Sequence, residues 1–152
     1  MDIDRVQAEW VLELFPADQI PEFAAQAMMQ GFEGPNILEL VSFHRPTRGE
    51  IRSTVFDGAL REMGREPLTP ELALRRLARP IAQGILRGRW TAFEGAGEIL
   101  GLARHIRFED YPGFLMTLSY ELEDMEGIGL SKDREQSIVE IAWSLIEEDP
   151  VR

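Results

Sequence analysis

The chain of 152 residues contains no cysteine. That absence excludes disulfides, cysteine-bound zinc, iron–sulfur clusters and a thiol nucleophile together. Lysine is almost as scarce. Lys132 is the only one, so fifteen of the sixteen basic side chains are arginine. A GC-rich genome accounts for that bias, and selection for bidentate arginine contacts is the other reading. Histidine occurs twice, at His44 and His105. No His-x-x-x-His, His-Glu-x-x-His or Glu-x-x-His spacing is present, so the helical metal-binding patterns are missing. No apolar run approaches the roughly 18 residues of a membrane span. Valine appears six times and threonine five, and no segment alternates cleanly between apolar and polar, so strand signals are weak. The start, Met1-Asp2-Ile3-Asp4, is acidic where a signal peptide is basic, and a cytoplasmic location is the default expectation.

What is present points to a folded globular protein. Hydrophobic residues make up 44% and charged residues 28%, which fits neither a disordered nor a fibrous chain. A length near 150 is roughly one domain's worth, with enough buried surface for a core. The net charge is −11. An acidic total argues against nonspecific nucleic-acid binding, which is driven by neutralising phosphates. It suits a surface that complements a basic partner. The charge is also ordered along the chain. Residues 1–44 hold eight acids and one base, residues 45–107 seven acids and twelve bases, and residues 120–152 ten acids and three bases. Either the acidic ends fold against the basic middle and neutralise it, or they stand apart as a face.

Helical spacing runs throughout. A first helix is expected from about Ile3 to Leu14, with Ile3, Val6, Trp10 and Leu14 along one side, stopped by Pro16. A second, Asp18 to Gln30, carries the stripe Ile20, Phe23, Ala24, Ala27 and Met28, with Gly31 as its cap. A third spans Pro35 to Phe43. A fourth, Thr47 to Met63, points Ile51, Val55, Ala59, Leu60 and Met63 inward and ends at Gly64. The fifth starts at Thr69-Pro70 and stops at Gly88, with Pro80 expected to kink it. Thr91 and Glu94 have capping-box spacing and open a sixth helix to about Arg104. Asp110 is expected to cap a seventh, with Phe114, Leu115, Leu118, Leu122 and Met125 apolar. Ser131 opens the last, with Ile138, Ile141, Ala142, Leu145 and Ile146 inward. The fold class is therefore all-α: a single-domain irregular bundle, or a short stack, of about eight helices.

Sites are less distinct. Gly95-Ala96-Gly97 with Gly101 lacks the lysine of a phosphate loop and follows no strand. Helical glycine costs about 1 kcal/mol against alanine, and close approach of another helix at Gly97 and Gly101 is the expected offset. Glu121, Glu123, Asp124 and Glu126 form the densest acidic run. They lie near a helix C-terminus, against the dipole preference, which makes them the first candidates for a partner contact. They do not follow the EF-hand ligand spacing. Arg75, Arg76 and Arg79 lie opposite the leucine stripe of the fifth helix, with Glu71 one turn before Arg75, as a solvated face or a counter-charged one. Trp10, Trp90 and Trp143 are read as core or near-core, Trp90 being the one that could serve as an exposed anchor. No Ser–His–Asp or Gly-x-Ser-x-Gly arrangement is present.

The stretch Ile81-Ala82-Gln83-Gly84-Ile85-Leu86-Arg87-Gly88-Arg89-Trp90, then Thr91-Ala92-Phe93-Glu94-Gly95-Ala96, carries a resemblance. With the acidic helix that follows and a C-terminal helix with Arg134 near its start, it resembles an uncharacterised family of short all-helical bacterial proteins, mostly from GC-rich genomes. The resemblance covers roughly residues 70–149. It implies an α-helical fold and a small cytoplasmic bacterial protein, and it supplies no catalytic residues.

The expectation that follows is a non-catalytic acidic helical protein that binds a macromolecular partner, in the manner of an immunity protein or inhibitor. The alternatives are a small enzyme or ligand-binding domain with a pocket between helices near His44 or His105, and a self-associating module joined through Trp90 or a Met/Phe patch. No metal or cofactor is implied. The partner is a protein or a second copy of the chain, with no membrane and no nucleic acid.

Overall fold

The computed structural model describes residues 1–123 and 132–147. Among them are eight α-helices, three single 3-10 turns and no strand, so the protein is all-α. By their contacts the helices sort into two compact units, residues 1–69 and 70–152.

The first unit holds α1 (Ile3–Val11), α2 (Ile20–Met29), α3 (Pro35–Ser42) and α4 (Ser53–Glu62). Helix α3 packs between α2 and α4. Its core takes Ile20, Phe23, Ala24 and Ala27 from α2, Ile37 and Leu40 from α3, and Val55, Phe56, Ala59 and Leu60 from α4. Each large side chain so buried contributes about 1.5–3 kcal/mol. Helix α1 joins this core through Trp10, whose ring stacks on Phe56 at 5.0 Å. It is fixed further by Gln7, a buried amide whose Nε2 donates to the Glu66 carbonyl at 2.7 Å. A buried polar group without a partner would be costly, and this bond removes that penalty.

The second unit holds α5 (Pro70–Leu86), α6 (Ala92–Gly101), α7 (Gly113–Glu123) and α8 (Lys132–Glu147). Helix α6 contacts α5, α7 and α8, and α5 lies along α8. Helix α5 continues across Pro80, whose ring is exposed.

The glycine stops are met as expected. Gly31, Gly64 and Gly88 all have positive φ, where a side chain would be strained. At each, the residue after the glycine donates back over five residues, Phe32 to Ala27, Arg65 to Leu60 and Arg89 to Gly84. These are three Schellman closures. Other boundaries move. Helix α1 ends at Val11, short of Leu14, and Glu13 takes a left-handed φ of 61°. Thr47 does not open α4; with Glu50 it forms a capping box on a separate 3-10 turn, Arg48–Glu50, and α4 begins at Ser53. Helix α6 stops at Gly101 rather than Arg104. Asp110 lies in the 3-10 turn Phe108–Asp110, and α7 starts later, its first amides donating to the Pro112 carbonyl.

Candidate interaction surface

Of the residues singled out by sequence, Glu121 is half-buried and Glu123 exposed at the end of α7. Asp124 and Glu126 lie outside the described residues. Arg75, Arg76 and Arg79 are half-buried rather than solvated. Arg75 is placed by its own unit: its Nη2 meets Glu71 Oε1 at 3.2 Å, and its guanidinium lies 4.9 Å from the Phe114 ring centre on α7. That is an i, i+4 ion pair joined to a cation–π contact. Trp90 is half-buried. Its indole sits against the Cα of Gly84, where a Cβ would overlap it, so the absent side chain makes the socket. Trp143, expected near the core, is 52% exposed, because the inward face of α8 is Ile138, Ala142 and Leu145.

The close-packing glycines also differ from expectation. Gly97 and Gly101 have nothing near the position of a Cβ, whereas a Cβ on Gly95 would overlap the Ile85 side chain. The buried face of α6 is Ala92, Gly95, Ala96 and Ile99, and its phase puts Gly95 inward and Gly97 out. His44 and His105 are both exposed, just past the ends of α3 and α6. Among the described residues no group of three or more His, Asp or Glu could hold a metal ion, and no helix is long and apolar enough to cross a membrane.

The ion pairs of the first unit show where its charge is neutralised. Arg5 meets Glu9 at 2.8 Å, Arg65 meets Asp4 at 3.1 Å, Arg52 meets Glu39 at 3.4 Å and Arg48 meets Glu13 at 3.5 Å. Arg48 also lies 4.1 Å over the Trp10 ring. Burial there pulls its guanidinium below the ordinary value, and Glu13 partly restores it. Three of these four pairs bring an arginine of residues 45–65 onto an acid of residues 1–44. They serve α1, its end and α3. Among the described residues, Asp18, Glu22 and Glu33 join no ion pair. Glu22 lies in the first turn of α2, Asp18 just before the helix and Glu33 after its end. Residues 6–44 hold six carboxylates and no lysine or arginine at all.

The same stretch, half of whose carboxylates are paired, is also where the first unit exposes most of its large apolar side chains. Met29 is 87% exposed, Leu38 56% and Met28 40%. Met28 was expected in the core stripe of α2, but Ile20, Phe23, Ala24 and Ala27 complete that stripe and leave Met28 at its edge. Met28 and Leu38 help line a cleft of about 630 Å³ between α2 and α3, with Glu33, Gly34, Pro35 and Ile37. Its floor is fixed by Glu62 of α4, which caps α3. Glu62 Oε2 accepts from the Asn36 amide at 3.1 Å and side chain at 2.7 Å, and Oε1 accepts from the Ile37 amide at 2.9 Å. A carboxylate at a helix N-terminus is favourable for both the free amides and the dipole. A Cβ on Gly34 would overlap Glu62, so glycine is what lets the carboxylate reach. A second cleft of about 450 Å³ lies on the other flank of α2, with Glu9, Glu22, Phe15 and Phe23 among its lining. Sequence reasoning missed this region. Its available signals were the Met28-Met29 pair, of which one helix face takes at most one, and the long stretch without a base. No family model, curated protein or solved structure matches the chain.

Proposed function

We propose that this chain is a non-catalytic binding protein, immunity- or inhibitor-like, that docks a basic, apolar-anchored segment of another protein on the α2–α3 cleft. One observation carries the reading: Met28 and Leu38 stand exposed in the lining of a cleft that also holds Glu33, an acid that joins no ion pair, and Met29 stands exposed next to Met28 in the chain. Exposed apolar patches mark interaction sites. Methionine is unbranched and polarisable and moulds to varied partners. A carboxylate outside any ion pair in such a patch, as Glu33 is, selects positive charge, raises the association rate and rejects acidic competitors.

The test is affinity capture from the native host with three baits. Wild type should retain a partner that a Met29→Ser, Leu38→Ser bait loses and a Glu121→Arg, Glu123→Arg bait keeps. Retention should fall as salt rises. Loss on the Glu121 and Glu123 reversal with retention on the Met29 and Leu38 bait would move the site to the end of α7. Equal retention by all three baits would remove both surfaces.

A further inference from the structure

With no cysteine in the chain, its sulfur is held by six methionines alone. Their surroundings differ widely. Met63 is wholly buried in the core of the first unit. Met116 is half-buried on α7. Met1 is exposed ahead of α1, and Met125 lies outside the described residues. Met28 and Met29 are neighbours at the end of α2. Both are exposed, and Met29, at 87%, leaves its thioether almost wholly in water. Oxidation of a thioether to a sulfoxide turns a flexible apolar side chain into a polar one, and reductases reverse it. An oxidant arriving from solvent therefore meets the sulfurs at the α2–α3 cleft without any opening of the fold, and meets Met63 only after one.

We infer that Met28 and Met29 form a modification site, at which oxidation by hydrogen peroxide closes the α2–α3 cleft to its partner and leaves the fold intact. This rests on the docking reading of that cleft. In the step, a sulfur lone pair attacks one peroxide oxygen. The S–O bond forms, the O–O bond breaks, and the departing oxygen collects the second proton and leaves as water. Sulfur loses two electrons and the peroxide gains them. The lining explains why the product blocks docking. Met28 shares the cleft with Glu33, Gly34, Pro35, Ile37 and Leu38. None of these side chains supplies a hydrogen-bond donor, an ionised glutamate being an acceptor only. A sulfoxide oxygen is a strong acceptor. In the open cleft water satisfies it. Under a partner it loses that water, and no side chain of the lining replaces it. The pliable apolar contact that methionine offers is lost at the same time.

Graded treatment of the full chain with hydrogen peroxide tests this, with three readouts. Peptide mass mapping should show Met28 and Met29 each gaining one oxygen well before Met63 and Met116. Helical circular dichroism and Tm should stay unchanged at that stage. Used as affinity baits, the oxidised wild type should retain about tenfold less of the protein that the untreated wild type captures, the effect of burying one unsatisfied polar group. Methionine sulfoxide reductases should restore it. A Met28→Leu, Met29→Leu bait, a volume-conserving change, should capture that protein before and after peroxide alike. Met28→Gln, Met29→Gln should lose it without any oxidant. Met63 reacting as fast as Met29, or a fall in Tm in step with oxidation at Met28 and Met29, overturns the proposal. So does loss of capture by the leucine variant on oxidation, which would place the sensitive group elsewhere. An oxidised wild type that still captures its partner overturns it alone and leaves the docking reading standing. An untreated wild type that captures nothing removes the docking reading, and this proposal with it.

Discussion

At the scale of single residues, glycines decide much of the packing, and they do so in opposite directions. Gly95 faces Ile85 and Gly97 faces open space, two positions apart on one helix. Gly95→Ala should destabilise the protein by about 1–3 kcal/mol, the usual result of overpacking a filled interior. Gly97→Ala should raise stability by up to about 1 kcal/mol, since only the helix propensity changes. Urea unfolding of both variants checks the pair, and equal signs would refute the assignment. Glu62 makes a second residue-scale argument. It satisfies two backbone amides at the start of α3 and the Asn36 side chain. Glu62→Ala should cost about 1–3 kcal/mol, because half-buried donors lose their acceptor. Gly34→Ala should be costly in the wild type and much less so beside Glu62→Ala, since the overlap it creates is with that side chain. A double-mutant cycle measures the coupling. Additive effects would mean that Gly34 is there for another reason.

At the scale of elements, the sequence was legible where the signal is local. Thr91 caps α6 by accepting from the Glu94 amide at 3.1 Å, as the spacing of the two residues implied. Thr91→Ala should lower stability by about 1 kcal/mol, and Thr91→Asp should retain most of it. A Tm unchanged by Thr91→Ala would show the cap to be unimportant. The Schellman closures at Gly31, Gly64 and Gly88 were legible for the same reason, since they depend on six consecutive residues. Thr47 was misread although its capping box is real, because the box closes a 3-10 turn that the chain leaves at Ile51. A cap signal marks a start without saying how long the element runs. Trp143 and Met28 were misread because an apolar residue at the edge of a stripe can face either way. The choice rests on what the neighbouring helix supplies. In α8, Ile138, Ala142 and Leu145 fill the inward face, and Trp143 is left outside it.

At the scale of the whole molecule, the proposed α2–α3 surface should respond to salt. Association of a basic partner with the α2–α3 cleft should slow and weaken as ionic strength rises, because exposed charges beyond about 8–10 Å are screened near physiological salt. Association rates at low and high salt check this. A partner whose binding strengthens with salt would contradict the charge argument for α2.

The sequence by itself determined that the chain is all helical, where most helices begin and end, and that its acid is gathered toward the ends. Those properties depend on residues within a turn or two of one another. Only the tertiary structure decided which acids are neutralised and which surfaces stay open. Asp4 finds Arg65 across 61 positions of sequence, and Glu13 and Glu39 find arginines from beyond residue 44. Asp18, Glu22 and Glu33 meet none of them. Ion pairing is a matter of distance in space, which charge order along a chain does not encode. The acidic ends are therefore not one feature. Part of the first is neutralised within its own unit, and part stands beside exposed methionines.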